Sequence, residues 1–157
     1  GRYLIFVDAD TRVSPALVKQ AVEALASGTV AGGGSVIHME GEGAFASFCA
    51  RLWNRVSRRF GIGAGCFLYC LRQAWEETGG FNEKLFAAEE VWFSAAVKRW
   101  GRARGMGFRI LTEYPPETSA RKMEGWGVLL VPAQFLILHL CPWLLMSRRA
   151  CWLWYRR

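Results

Sequence analysis

Asp8 and Asp10 are the only two aspartates among 157 residues, and they stand one residue apart as Asp8-Ala9-Asp10. They follow Tyr3-Leu-Ile-Phe-Val7, a short continuous apolar run that reads as a buried strand of a parallel sheet. Open α/β sheets bind ligands beyond the carboxyl ends of their strands, and this pair falls there. Two carboxylates on one turn can share a hard divalent cation, which in turn neutralises a substrate phosphate. The plainer alternative is an Asx-type turn that ends the strand, with Asp10 assisting a helix that starts at Ser14. A second acidic pair, Glu89-Glu90, opens an amphipathic segment. The helix dipole stabilises a carboxylate at that position. Two exceed what capping requires, and one is a candidate general base toward a hydroxyl.

An apolar strand followed by D-x-D also opens the phosphatases that work through an aspartyl-phosphate. Arg12 stands where those enzymes usually carry Thr or Val, and no Asp follows Asp10 to hold Mg2+. That chemistry fails within this chain. Gly61, Gly63 and Gly65 either let backbone approach a ligand closely or form a flexible loop. Cys66 and Cys70 read as small core residues, and His38 and His139 have no ligand-like neighbours.

The elements that must position these groups alternate between strand and helix, which argues for α/β architecture. Ser14 is an N-cap candidate with Pro15 at the first helical position; Leu17, Val18, Ala21, Val22 and Leu25 recur at helical spacing, and Gly28 lies beyond the end. Val30 to His38 is a Gly-rich second strand, and Ala44 to Phe60 is helical with Phe45, Phe48, Leu52 and Val56 on one side. Cys66 to Leu71 reads as a strand and Arg72 to Glu77 as a short helix stopped by Gly79-Gly80. Glu89 to Trp100 is a helix ended by Gly101, and Phe108 to Leu111 is a late strand.

The composition narrows the setting. The chain is 52% hydrophobic with a net charge of +7, enough apolar content for one domain with a real core. The excess charge rests on 16 Arg against four Lys, which favours phosphate or an anionic membrane surface as partner. Five cysteines without a C-x-x-C pair argue against a disulfide framework or structural zinc and fit a reducing, cytoplasmic setting. The chain opens on Gly1 with a strand-like run at once, as a piece of a longer protein would, and shows no signal peptide. Residues 126–146 carry no formal charge and are long enough for a bilayer, which takes ~20 apolar residues. Trp126 and Trp143 stand near the ends and Arg148-Arg149 follow, as interfacial aromatics and cytoplasmic positive charge would. Pro132, Gln134, His139 and Pro142 interrupt the run, so a buried or re-entrant helix pair competes with a true span. Arg51, Arg55, Arg58 and Arg59 form a stripe on the Ala44–Phe60 helix, either a solvated face or a second, electrostatic contact with the membrane.

Taken in order, F-V-D-A-D-T, G-A-G-C-F, G-G-F-N-E-K-L-F-A-A-E-E-V-W-F-S and K-R-W-G-R resemble the latter half of a bacterial, membrane-associated family 2 glycosyltransferase with a GT-A fold. The likeness runs from Tyr3 to about Lys122. It implies a GT-A-like mixed sheet over residues 1–122, without the front strands that hold the nucleotide base and ribose, and a hydrophobic membrane-associated helical tail over 123–157. It further implies that Asp8 and Asp10 hold Mg2+ or Mn2+ against the diphosphate of a nucleotide-sugar donor. By position Glu90 is the base that deprotonates the acceptor hydroxyl, with Glu89 as the other candidate, and Arg121 and Lys122 either reach the diphosphate or belong to a solvated basic loop. The expected activity is sugar transfer with inversion to a hydroxyl acceptor, lipid-linked or membrane-proximal, at the cytoplasmic face of the cell membrane, with no nucleic acid involved. Asn82 and Glu90 depart from the family's usual Asp at their positions. In isolation the chain is expected to be inactive. The competing reading is a membrane-bound binding or scaffold protein with a degenerate, non-catalytic transferase domain.

Overall fold

The computed structural model describes residues 1–40, 44–119 and 141–151. In chain order the elements are β1 (Tyr3–Val7), β2 (Thr11–Arg12), α1 (Pro15–Ala26), β3 (Val30–Ser35), β4 (His38–Glu40), α2 (Ala44–Phe60), β5 (Phe67–Leu71), α3 (Arg72–Thr78), α4 (Glu89–Arg102), β6 (Gly107–Leu111) and β7 (Glu117–Ser119), then a 3₁₀ helix at Pro142–Met146. The main sheet runs β1-β5-β3-β6 and a smaller one runs β2-β7-β4. Both are mixed. β5 is antiparallel to β1 and β3, whereas β3 and β6 are parallel. The architecture is α/β, as expected, but β1 pairs antiparallel with β5, against the parallel neighbour its composition suggests.

Strand alternation sorts the core into two layers. Phe67 and Tyr69 of β5, with Tyr3 and Ile5 of β1, pack against Leu17, Ala21, Ala24 and Leu25 of α1. Leu68 and Cys70, with Leu4 and Phe6, face Phe93, Val97 and Trp100 of α4 and Ala74 of α3. Because helices cover both faces, the strands read as continuous apolar runs. α1 starts as its sequence dictates: the Leu17 amide donates to Ser14 Oγ at 3.2 Å, Pro15 follows the cap, and the chain leaves through Gly28 at φ +72°.

β3 is the crowded centre. Gly33 pairs with Tyr69 on one side and Arg109 on the other, and the Tyr69 hydroxyl donates across it to the Arg109 carbonyl at 2.9 Å. A Cβ at Gly33 would collide with that carbonyl and that hydroxyl. Burial drives the Tyr69 phenol upward, so it stays a donor. Gly101 does not end its helix; it lies inside α4, where an added Cβ would come within 2.8 Å of Ala31 Cβ. The second expected strand, Val30–His38, is two: β3 stops at Ser35 and β4 begins at His38 in the other sheet.

α3 is tied to α4 by a polar knot. Glu77 accepts from Trp100 Nε1 at 2.8 Å, from Gln73 at 2.8 Å and from Arg104 at 2.6 Å, and the Arg104 guanidinium lies 4.2 Å from the Trp100 ring centroid. Of the apolar stretch 126–146, only its last residues are described. Leu145 is buried with Ala87 and Cys151, and the Phe86 amide donates to the Leu145 carbonyl at 2.7 Å. Among the described residues no helix is long and apolar enough to cross a membrane.

Two outcomes test this packing. Gly33→Ala should lower stability by at least about 2 kcal/mol, the scale of overpacking in a core, and Tyr69→Phe by about 1 kcal/mol for one hydrogen bond. Denaturant midpoints with unchanged slope would measure both; a neutral Gly33→Ala would refute the close approach. The hydrogen bond from Trp100, then that from Gln73, and the charge of Arg104 hold the Glu77 carboxyl below its ordinary value. A depressed carboxylate stabilises the fold above its unfolded pKa, and that contribution is lost as pH falls through the folded one. Thermal midpoints should therefore fall below about pH 4.5 more steeply in the natural chain than in Glu77→Gln.

Candidate functional site

The acidic turn is held by backbone on both sides. The Asp8 amide donates to the Cys66 carbonyl at 3.4 Å, extending the β1–β5 ladder by one bond, and the Thr11 amide donates to the Asp8 carbonyl at 3.1 Å. Beyond the turn, β2 pairs with β7, and Thr11 Oγ1 bonds Thr118 Oγ1 at 3.1 Å. Asp8 and Asp10 are both exposed. Ser14 caps α1 with its own hydroxyl, so the helix start does not require Asp10.

The second acidic pair lies at the head of α4. Ala88 precedes it at φ +60°, a left-handed conformation without a side-chain cap, and the Val91 amide closes the first turn onto the Ala88 carbonyl at 3.1 Å. Glu90 and Ser94 are four residues apart and share one face of the helix. Ser94 is buried, and its Oγ accepts from the Gly63 amide at 3.1 Å. That bond fixes the Gly61–Gly65 loop against the face that carries Glu90. Sequence reasoning passed over Ser94; its signal is a lone hydroxyl between Phe93 and Val97 on the buried side of the helix.

Cys66 joins the two acidic groups. Its thiol is pushed up to about 12, first by burial, then by the negative charges of Asp8, Asp10 and Glu90. Three carboxylates from two distant segments thus act on one point at the start of β5. Glu89 does not belong to this set. Its charge acts on the buried Cys151 of the C-terminal segment, beside burial as the larger cause of that thiol's upward shift. Of the two candidate bases, Glu90 shares the helix face of Ser94, which holds the loop leading to Cys66.

Asp8 and Asp10 are hard oxygen donors on a backbone-fixed turn, and the protonated Cys66 thiol offers no competing soft ligand. Among the described residues no group of three or more His, Cys, Asp or Glu is placed to hold an ion by itself. Mg2+ commonly takes one or two carboxylates and completes its shell with water and substrate phosphate, so the pair fits that partial donor set.

The three glycines of the loop divide. Gly61 turns the chain at φ +61°; a Cβ on Gly63 would strike the Leu68 side chain; Gly65 has open space around it. Of the three, Gly65 leaves backbone accessible beside Cys66. Arg121 and Lys122 lie outside the described residues. No family model, curated protein or solved structure matches the chain.

Thiol chemistry checks this placement. Cys66, Cys70 and Cys151 are buried, while Cys49 and Cys141 are partly exposed. Burial also holds the Cys70 thiol up at about 12. Maleimide at pH 8 should add to Cys49 and Cys141 in the native chain and reach the other three only after denaturation, read by intact mass and peptide mapping. Native labelling of Cys66 at the rate of Cys141 would contradict the buried site.

Proposed function

We propose that this chain carries the metal-binding and acceptor side of a metal-dependent inverting glycosyltransferase with a GT-A-like fold. It moves a sugar from a nucleotide-diphosphate donor to a hydroxyl acceptor. The observation that carries the reading is the placement of the exposed Asp8–Asp10 turn against Cys66 at the start of β5, behind a loop that Ser94 ties to the helix Glu89 and Glu90 open. A D-x-D pair alone is as easily an ordinary turn. A further carboxylate in the first turn of α4, Glu90, would separate a metal ligand pair from a proton acceptor, which is what sugar transfer to a hydroxyl requires.

Asp8 and Asp10 hold Mg2+ or Mn2+ in this reading. The ion, when bound, offsets charge developing on the departing diphosphate. Glu90 accepts the acceptor's hydroxyl proton as that oxygen forms its bond to the anomeric carbon. The bond from that carbon to the diphosphate oxygen breaks on the opposite face, its electron pair leaving with the diphosphate, and the configuration inverts. Ser94 keeps the Gly61–Gly65 loop docked on the helix that presents Glu90. Arg121 and Lys122 belong to the diphosphate side of the proposal, and a membrane-proximal acceptor at the cytoplasmic face completes it.

Metal binding and proton transfer are separable by experiment. Mn2+ should raise the thermal midpoint of the natural chain, since a ligand that binds the folded state stabilises it, and should not raise that of Asp10→Asn. In the full-length protein Asp10→Asn should also abolish sugar transfer. Glu90→Gln should keep the Mn2+ response and lose a factor of ~10²–10⁴ in turnover, while Glu89→Gln stays near the natural rate. Equal Mn2+ responses in the natural chain and Asp10→Asn would remove the metal assignment. A crippled Glu89→Gln would move the base by one residue. Metal binding without transfer from any nucleotide sugar would leave the binding-protein reading standing.

A further inference from the structure

α2 is anchored on one side and bare on the other. Its inner row is Ala50, Trp53, Asn54 and Ser57. Ala50 and Trp53 pack with Ile37, Ala64 and Cys66. Asn54 bonds both backbone groups of Ile37, at 2.8 and 2.9 Å, and Ser57 Oγ donates to the Ile62 carbonyl at 2.7 Å. Lys98 of α4 donates to the Phe60 carbonyl at 2.7 Å and closes the helix end. These bonds fix the helix's rotation. The opposite face presents Phe48, 54% exposed, and Leu52, 50% exposed, with Arg51, Arg55, Arg58 and Arg59 around them.

Two features of this face are unusual for a merely solvated helix. Large apolar side chains stand in water at its middle, and the helix holds four arginines without one acidic residue. Among the described residues none of the four makes an ion pair within 4.0 Å. Arg58 and Arg59 sit in the last turn, where the helix dipole favours them. Arg51 and Arg55 have no such benefit, and like charges at that spacing disfavour a helix by a few tenths of a kcal/mol. Arg58 also lines, with Arg109 of β6 and Gly61, a cleft of about 360 Å³ that continues the basic surface off the helix.

We propose that the outer face of α2 docks on an anionic phospholipid bilayer. Apolar residues on one face flanked by arginine are how a helix lies in a membrane interface, the apolar side chains entering the headgroup boundary and the guanidiniums meeting phosphate. Charge selects this occupant. A second copy of the face would bring four arginines against four. A nucleic-acid backbone would match the arginines and leave Phe48 and Leu52 in water. The inner row packs beside Cys66, so docking would hold that part of the chain about one helix diameter from the bilayer surface. The inference stands on α2 alone and does not require the transferase reading.

Vesicle co-sedimentation of the full chain tests it, with phosphatidylcholine vesicles against vesicles containing 30% phosphatidylglycerol. The chain should partition more strongly to the anionic vesicles, and that preference should fall steeply with salt. A basic residue near such a surface is worth about fivefold in partitioning, so Arg51→Ala with Arg55→Ala should weaken binding about thirtyfold. Leu52→Glu should weaken it further at every salt concentration, with circular dichroism and thermal midpoint unchanged. Hydrogen exchange should slow in α2 on addition of anionic vesicles. Three results would overturn the proposal: variants that bind as the natural chain does, equal binding to both vesicle types, or an α2 face already protected without vesicles by a second copy or by residues 120–140. None of these results touches the Mn2+ response, so this inference and the proposed function fail separately.

Discussion

The antiparallel pairing of β1 with β5 is the constraint on which the acidic site depends. It runs in unbroken register from Tyr3 with Leu71 to Val7 with Phe67, and one further bond carries it to the Asp8 amide and the Cys66 carbonyl. A slip of one residue would turn Tyr3 and Ile5 from the α1 layer to the α4 layer and reverse every side chain of the strand. Both faces are packed, so such a slip cannot be absorbed on a solvent side. The register that satisfies the core therefore also sets Asp8 and Asp10 beside Cys66.

β3 makes a sheet of this width possible, and the loop glycines extend the same logic to the site. Gly33 lets Tyr69 cross to β6, and Gly34 lies against the backbone of Gly63, where a Cβ on Gly34 would come within 2.7 Å. The loop that Ser94 ties to α4 is thereby pressed onto the end of the central strand. α4, the glycine loop, β5 and the acidic turn form one connected body, and Glu90 is positioned by packing far from its own carboxylate. The C-terminal segment reaches the same body through the bond from the Phe86 amide to the Leu145 carbonyl and the packing of Leu145 with Ala87.

Much of this could be read from residue order, and the exceptions have physical reasons. β1, α1 and α2 lie where their patterns place them, because apolar run, cap and helical period agree there. The direction of pairing was not legible, since burial on both faces gives the same composition to parallel and antiparallel strands. β2 and β7 are too short to show alternation and exist because they pair with each other. Gly101 reads as a stop signal, and the packing of Ala31 makes it an interior contact instead. Phe48 and Leu52 show helical spacing, yet they line the bare side of α2, because period gives a face without saying what covers it. At the site, Asp8 and Asp10 announce themselves by spacing. The distinction between Glu89 and Glu90 is three-dimensional, since only Glu90 shares the helix face of Ser94 and its bond to the glycine loop.

The site is also assembled from distant chain. Asp8 meets Cys66, Cys66 meets a loop held by Ser94, and β3 must wait for β6, whose strand begins at Gly107. Contacts of such separation form late, after their loop-closure entropy has been overcome, and they slow folding. Local helices such as α1 and α2 can form early without them. A chain emerging during synthesis would hold the residues of its basic helix before α4 is available to bind the glycine loop through Ser94. The order of folding thus gives the positive surface a head start over the acidic turn, which takes its place only in the completed sheet.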